Sequence, residues 1–287
     1  MKPEEKNKVV GGTLYLVATP IGNLADISER ALKVLSEVDF VAAEDTRNTG
    51  LLLSRFGISK PLVSYFEHNK RERGEVIAAR LLAGESCALV TDAGMPAISD
   101  PGEDLVRLCA ERNIPVTVIP GCCAVVSALV LSALPTGRFT FEGFLTTSRS
   151  DRKAHLDSLR GETRTMIFYE APHKLRRTLA DMTAAFGEDR QITLCRELTK
   201  INEEIIRTTL GAACALYEEK EPRGEYVLVL AGAQASAEQA YPEDPAAHVQ
   251  MYLDAGMRNM DAIKAAAKDR GMAKAELYKI LLDAKKE

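Results

Sequence analysis

Several features that mark other classes of protein are missing from this chain of 287 residues. Its longest apolar run, residues 122–134, is shorter than the ~18 residues of a membrane-spanning helix. The first twelve residues are polar, without the apolar segment of a signal peptide. The six cysteines include no C-x-x-C pair, which argues against a zinc site or a disulfide framework. We therefore expect a cytoplasmic protein with reduced cysteines, no membrane segment and no bound metal.

The chain also lacks an excess of positive charge. Its formal net charge is −4, so no overall field would attract a polyanion, and any contact with RNA must come from a local basic patch. The hydrophobic fraction of 46% and the charged fraction of 27% are typical of a globular protein.

Two phosphate-binding motifs are absent as well. The loop after the first predicted strand, residues 18–24, reads ATPIGNL and not G-x-G-x-x-G, which argues against a dinucleotide fold. No G-x-x-x-x-G-K-[ST] occurs, so a kinase or nucleotide triphosphatase has no phosphate cradle.

What the sequence does contain, up to residue 118, is an alternation of short β-branched runs with longer segments of helical period. This pattern predicts a mostly parallel sheet covered by helices. The predicted strands are 14–18, 40–43, 62–65, 87–91 and 115–119, and the predicted helices are 28–38, 46–56, 71–83 and 103–112. The helix-like run after them ends at a breaker cluster, Leu134-Pro-Thr-Gly, where we place a boundary.

The second lobe has more strands per helix, which predicts a mixed sheet. Its predicted strands are 139–144, 165–169, 192–194, 204–209 and 226–231, with helices at 152–159 and 175–186. A linker follows, and then a small unit with helix-turn-helix-like spacing, with helices at 249–255, 259–269 and 273–284. The predicted fold is therefore two α/β lobes, 12–134 and 135–232, plus a C-terminal helical domain, 243–287.

Three loops rich in small residues follow the first, fourth and fifth strands, at 18–24, 91–102 and 120–124. Ligands of open α/β sheets bind at the carboxyl ends of the strands, so these loops are expected to face one cleft. Small residues let the backbone approach a flat ligand, and apolar neighbours such as Met95, Pro96 and Ile98 can form walls. The loops suit a nucleoside, although each alone could be a tight turn.

Five strings in this chain carry a family resemblance. They are Thr19-Pro-Ile-Gly-Asn-Leu, Ala43-Glu-Asp-Thr-Arg, Thr91-Asp-Ala-Gly-Met-Pro, Pro120-Gly and Phe168-Tyr-Glu-Ala-Pro-His. Together they resemble the tetrapyrrole methylase superfamily, and more closely its ribosomal RNA branch, which methylates the 2'-hydroxyl of a decoding-centre cytidine in 16S RNA. The resemblance covers residues 12–232, and the helical tail is also similar to that branch.

The resemblance implies the ligand and its contacts. S-adenosylmethionine would lie in the cleft between the lobes, and the substrate would be 16S ribosomal RNA, in the small subunit, with the enzyme a homodimer. The implied donor contacts are Ile21, Ala93, Gly94, Met95, Ile98, Cys123, Ala124, Glu170 and Leu198. Asp92 could bind the amino-acid end of the donor or cap its own loop.

Two other functions stay open from the sequence. One is methylation of a tetrapyrrole, although Gly94-Met95-Pro96 stands where porphyrin methylases usually have Gly-Asp-Pro. The other is a non-catalytic regulator that reads nucleic acid through residues 249–284. Segment 243–287 has eight basic and eight acidic residues, and this neutral balance disfavours a free-standing reader.

Methylation of a hydroxyl benefits from a general base, and the acidic pair Glu44 and Asp45, beside Arg47, ends the second strand. His68, after the third strand, is a further candidate. The two acids could equally be caps of the helix that follows them.

Two basic clusters could neutralise RNA phosphates. The first is Lys70, Arg71 and Arg73, and the second, in segment 146–177, includes Arg149, Arg152 and Lys153. Either cluster could instead be a solvated helix face.

Overall fold

A computed structural model describes residues 7–233, 241–242 and 244–283. Most of the predicted linker, the first six residues and the last four therefore lie outside the described residues. By the density of contacts, the chain separates into two units, residues 1–232 and 233–287.

The first lobe contains a sheet of five parallel strands in the order β3-β2-β4-β1-β5. The strands are β1 (Leu14–Val17), β2 (Phe40–Ala43), β3 (Leu62–Ser64), β4 (Cys87–Val90) and β5 (Val116–Ile119). The helices are α1 (Glu29–Glu37), α2 (Thr46–Arg55), α3 (Lys70–Leu82) and α4 (Gly102–Glu111). Every residue of β2 and β4 is buried, as expected when helices cover both faces. The predicted parallel lobe is confirmed.

The second lobe contains a mixed sheet in the order β6-β7-β10-β8-β9, parallel only between β6 and β7. Its strands are β6 (Phe139–Phe144), β7 (Thr165–Glu170), β8 (Gln191–Arg196), β9 (Glu204–Thr209) and β10 (Tyr226–Leu230). Its helices are α6 (Arg149–Ser158), α7 (Pro172–Phe186) and α8 (Leu210–Glu219). The predicted mixed sheet is confirmed, whereas α8, capped by the side chain of Thr209, was not predicted.

The apolar run 122–134 forms α5 (Ala124–Leu131), which is buried on one side only. Val125 and Leu129 pack against Ile167 and Val229 of the second sheet, so this helix contributes to the core of the second lobe. Val126 and Val130, on its other side, are 51% and 65% exposed. Among the described residues, no helix is long and apolar enough to cross a membrane.

The C-terminal unit has three helices within its described residues: α9 (Pro245–Asp254), α10 (Asn259–Asp269) and α11 (Lys274–Asp283). Val249, Ile263 and Leu277 are buried in its own small core. Gly256 and Gly271, which separate the helices, have φ of +85° and +63°, values that favour glycine at a helix end. The predicted helical character of this segment is confirmed.

One residue of the predicted RNA surface is part of the core instead. The side chain of Arg152, on α6, is only 4% exposed and pairs with Asp181 of α7 at 2.7 Å. It also donates to the backbone oxygens of Thr146 and Thr147, both at 3.2 Å. Because its guanidinium is buried and occupied by these partners, Arg152 cannot meet a phosphate without leaving them, and these contacts favour a structural role for it.

Replacing Arg152 with methionine therefore tests its structural role. We expect Arg152→Met to lower the free energy of unfolding by about 2–3 kcal/mol, because Asp181 and two carbonyls lose a charged donor. Lys153→Met, at the neighbouring position with a side chain 73% exposed, should leave stability nearly unchanged. Urea unfolding followed by circular dichroism measures both. Equal stability of the two variants would contradict this role.

Candidate functional site

A cleft of about 510 Å³ lies between the two lobes, at the carboxyl ends of the strands of the first sheet. Its volume is within the ~300–1,000 Å³ typical of small-molecule sites. Seven of the predicted donor contacts line it: Ile21, Asp92, Ala93, Ile98, Ala124, Glu170 and Leu198. The structure thus brings together residues from three loops of the first lobe and two strand ends of the second.

The other three predicted contacts, Gly94, Met95 and Cys123, are not among the residues that line the cleft. Gly94 is buried, Met95 is half-buried, and Cys123 is the residue before the first turn of α5. Gly94 and Thr19 exchange two backbone hydrogen bonds, of 2.9 and 3.0 Å, and so join the loops after β1 and β4. Gly94 has φ of +89°, and a Cβ there would lie 3.3 Å from Ile21 Cγ2. Glycine at this position lets the two loops approach each other.

The loop after β4 is held in shape by Asp100. This carboxylate accepts hydrogen bonds from the backbone N–H groups of Ala97 (3.0 Å), Ile98 (3.2 Å) and Gly102 (2.7 Å). Ala97 and Ser99 have φ of +68° and +65°, which costs energy for residues with a side chain. The three hydrogen bonds offset this strain and keep Ile98 at the cleft.

Of the candidate catalytic residues, Glu44 alone lines the cleft. It accepts a hydrogen bond of 2.7 Å from the hydroxyl of Thr91. Asp45 caps α2 by accepting from the backbone N–H of Arg47 (2.8 Å), and it also pairs with the Arg47 guanidinium at 2.6 Å. These hydrogen bonds from Arg47 lower the pKa of Asp45 to about 2, which makes it a weak base. His68 is exposed and follows β3, an edge strand.

Three charged residues of the second lobe, which sequence reasoning missed, also line the cleft. The Lys200 ammonium lies 2.8 Å from both Glu197 and Glu225, and Glu197 accepts from the backbone N–H of Glu225. A Cβ on Gly22 would lie 2.3 Å from Lys200 Cγ, so this loop of the second lobe packs directly on the loop after β1. Glu197 and Lys200 follow β8, so the strand-end rule applied to the second sheet would have found them.

The cleft carries an excess of negative charge. Among its described lining residues, Glu44, Asp92, Asp100, Glu170, Glu197 and Glu225 are acidic, against one lysine, Lys200. The apolar walls are Ile21, Ile98 and Leu198. S-adenosylmethionine carries a sulfonium and an ammonium group on a nucleoside, so acidic side chains beside apolar walls fit it. The close approach permitted at Gly94 fits a flat adenosine equally well.

The predicted RNA-binding residues differ in their availability. Lys70 pairs with Glu67 and Asp104, both at 2.7 Å, and hydrogen bonds to Asp104 and then Glu67 raise its pKa. Arg71 and Arg73 on α3, and Arg149 at the start of α6, are exposed and form no ion pair within the described part of the chain. Lys153 is exposed and pairs with Asp157 at 2.5 Å.

Comparisons with known proteins agree with the resemblance seen in the motifs. Residues 13–214 match the family of Tetrapyrrole (Corrin/Porphyrin) Methylases. The chain is 45% identical to a Ribosomal RNA small subunit methyltransferase I of Synechocystis, over 95% of this chain and 98% of that protein. It is 44% identical to a protein of the same name from Escherichia coli O157:H7, over 99% of both.

Among solved structures, the chain is similar to a uroporphyrin-III-C-methyltransferase from Thermus thermophilus, with a TM-score of 0.54 and 19% identity. The match covers 77% of this chain and 94% of that one. At this identity the likeness concerns the fold alone. The two-lobed architecture predicted from the sequence is confirmed.

Proposed function

Because the chain belongs to the tetrapyrrole methylase family, we propose that it transfers a methyl group from S-adenosylmethionine to the 2'-hydroxyl of a decoding-centre cytidine in 16S ribosomal RNA. The observation that carries this proposal is the 44–45% identity, over nearly the whole chain, to proteins named Ribosomal RNA small subunit methyltransferase I. The substrate would be the RNA within the small ribosomal subunit, in the cytoplasm.

A tetrapyrrole substrate is not favoured. The solved tetrapyrrole methyltransferase shares only 19% identity with this chain, and a similarity at this level indicates a common fold but not a common substrate. A purely regulatory role is not favoured either, since the family match at residues 13–214 covers the first lobe and most of the second, including most residues that line the cleft.

In this proposal, the lobes 12–134 and 135–232 hold the donor between them, and residues 243–287 form a separate helical domain. Ile21, Ile98 and Leu198 would pack against the donor, while Ala93 and Ala124 leave room for it. When bound, S-adenosylmethionine supplies a methyl group on a positively charged sulfur, ready for in-line displacement. The task of the protein is then to align the ribose oxygen, which contributes up to roughly 7–11 kcal/mol in well-oriented reactions.

Glu44 would take the proton of the 2'-hydroxyl. It is exposed in the cleft, and the Thr91 hydroxyl, 2.7 Å from Oε2, fixes its orientation. Oε1 accepts no hydrogen bond within the described part of the chain and is free to meet a substrate hydroxyl. Asp45 and Arg47 would act by holding the start of α2 beside it.

The exposed arginines Arg71, Arg73 and Arg149, with Lys153, would contact phosphates. Arg149 follows Phe144, a cleft residue at the end of β6, by five positions, so α6 begins near the site. The ion pair of Lys153 with Asp157 is exposed and worth little, and a phosphate can replace it.

The homodimer is also part of this proposal. Val126 and Val130 lie one turn apart on the exposed side of α5, and Val118, on the edge strand β5, is 47% exposed. Exposed apolar side chains of this kind favour contact with a second copy. Sedimentation equilibrium should give twice the mass of the chain, and a monomer mass would contradict the dimer.

The activity itself is tested in cells that lack the protein. Mapping of ribose methylation should show one missing 2'-O-methyl cytidine in the decoding centre of 16S RNA. Purified protein with labelled donor should restore it on small subunits isolated from those cells. An unchanged methylation pattern would contradict the proposal, and so would transfer of the methyl group to uroporphyrinogen but not to small subunits.

The base is tested by Glu44→Gln, because an amide cannot accept the proton. We expect kcat to fall about 10²–10⁴-fold, with the affinity for S-adenosylmethionine unchanged in calorimetry. Asp45→Asn preserves a good helix cap and should leave kcat close to that of the unaltered chain. The opposite result would contradict this assignment: a large loss of kcat in Asp45→Asn, with kcat of Glu44→Gln close to that of the unaltered chain, would make Asp45 the base.

The RNA surface is tested by charge reversal. Arg71→Glu and Arg149→Glu should each weaken binding to small subunits and reduce the slope of log K against log salt by about one. Arg55→Glu is the control, since Arg55 is exposed at the far end of α2 from the cleft. Filter binding at several salt concentrations measures the slopes. Equal slopes for all three variants would exclude these arginines from the interface.

A further inference from the structure

A second, smaller cavity of about 190 Å³ adjoins the cleft. Two residues, Thr91 and Asp92, line both cavities and so form the wall between them. The small cavity has apolar sides, formed by Pro20, Leu24 and Leu52. Its volume is below the ~300 Å³ at which sites for whole small molecules begin, so it fits a single ring of a larger ligand.

Two of the polar side chains that line this cavity, Asn48 and Asp92, are hydrogen-bonded to each other. Asn48 Nδ2 donates to Asp92 Oδ2 at 3.0 Å. A carboxylate only accepts, so the amide nitrogen and not the amide oxygen must face it, and this settles the orientation of the Asn48 side chain. Asp92 Oδ1 and the second N–H of Asn48 have no partner within the described part of the chain. The cavity therefore offers an acceptor next to a donor.

Cytosine presents the complementary pair on its Watson–Crick edge, an amino group that donates beside a ring nitrogen that accepts. Carboxylates accept from this amino group in known recognition of cytosine. Uracil has an oxygen and an N–H at the same two places. The uracil oxygen would face the Asp92 carboxylate, so two acceptors would meet. The uracil N–H would face the Asn48 N–H, so two donors would meet.

We propose that the small cavity seats the base of the nucleotide to be methylated, and that Asp92 and Asn48 select cytosine over uracil. This inference rests on the proposed function. The target base would be turned out of its stack and held between the apolar sides, in the way that enzymes acting on a base hold their target.

The residues between the two cavities are placed as this proposal requires, between the base in the small cavity and the donor in the cleft. Thr91 lines both cavities and donates to Glu44 of the cleft. A nucleotide with its base in the small cavity must pass its ribose across Thr91 and Asp92 to reach the donor. The 2'-hydroxyl would then come to the side of the wall where Glu44 lies.

The selectivity is tested by Asp92→Asn, which replaces the acceptor by an amide that can turn to donate to uracil. The substrates are small subunits reconstituted with cytidine or with uridine at the mapped position. The unaltered chain should prefer cytidine, and Asp92→Asn should reduce the ratio of single-turnover rates about 10- to 100-fold. Its affinity for S-adenosylmethionine is measured by calorimetry alongside, because Asp92 lines the donor cleft as well as the small cavity.

A steric variant gives a second readout. Leu52→Phe narrows the small cavity and should raise KM for subunits at least about tenfold, the effect of losing one good base contact, without weakening donor binding. Leu51→Phe is the matched control, because Leu51 is 73% exposed and lines neither cavity. Donor binding by each variant also shows that it is folded.

Two results would overturn the inference. One is a tenfold or greater loss of donor affinity in Asp92→Asn with the cytidine-to-uridine ratio unchanged, which would assign Asp92 to the amino-acid end of the donor. The other is equal KM values for the two phenylalanine variants. Absence of transfer by the unaltered chain to either subunit is a different result, because it contradicts the proposed function itself.

Discussion

The site depends on one short backbone contact, the pair of hydrogen bonds that Thr19 and Gly94 exchange beyond the ends of β1 and β4. It keeps two loops together where the parallel strands have stopped pairing. The contact requires the positive φ of Gly94, and it brings Ile21 and Ala93 to the same cleft. The strained loop that follows is held by Asp100, so the floor of the cleft is formed by backbone that is already ordered before a ligand binds.

The distribution of charge separates donor binding in the cleft from RNA binding at the surface. The cleft is acidic, which suits a cationic donor and repels the phosphates of RNA. Exposed cations such as Arg71 and Arg149 lie outside it, where they can contact phosphates without entering the donor site. A protein with a net charge of −4 can thus act on a polyanion, because only a local patch has to be positive.

Every strand within the described residues was predicted from the sequence, because short apolar runs that lie between segments of helical period are too short for helices. The hydrophobic period missed α8, whose segment 210–219 is rich in alanine and carries no strong apolar stripe. Exposure was harder to predict than structure: Arg152 sits in a basic segment, and only the position of Asp181 on α7 shows that it is buried. Lys200 follows the end of β8, so the strand-end rule applied to the second sheet would have placed it near the cleft. Its contact with Gly22 joins segments that are distant in the sequence, and this contact could not have been predicted.

The central claim is that the loops joined by Thr19 and Gly94 form the binding site of S-adenosylmethionine. Hydrogen exchange of the full chain, with and without saturating donor, tests it most directly. The account predicts slower exchange in residues 18–24, 91–100 and 196–200, with little change in the three C-terminal helices. Unchanged exchange in all three loops, with the donor demonstrably bound, would contradict it.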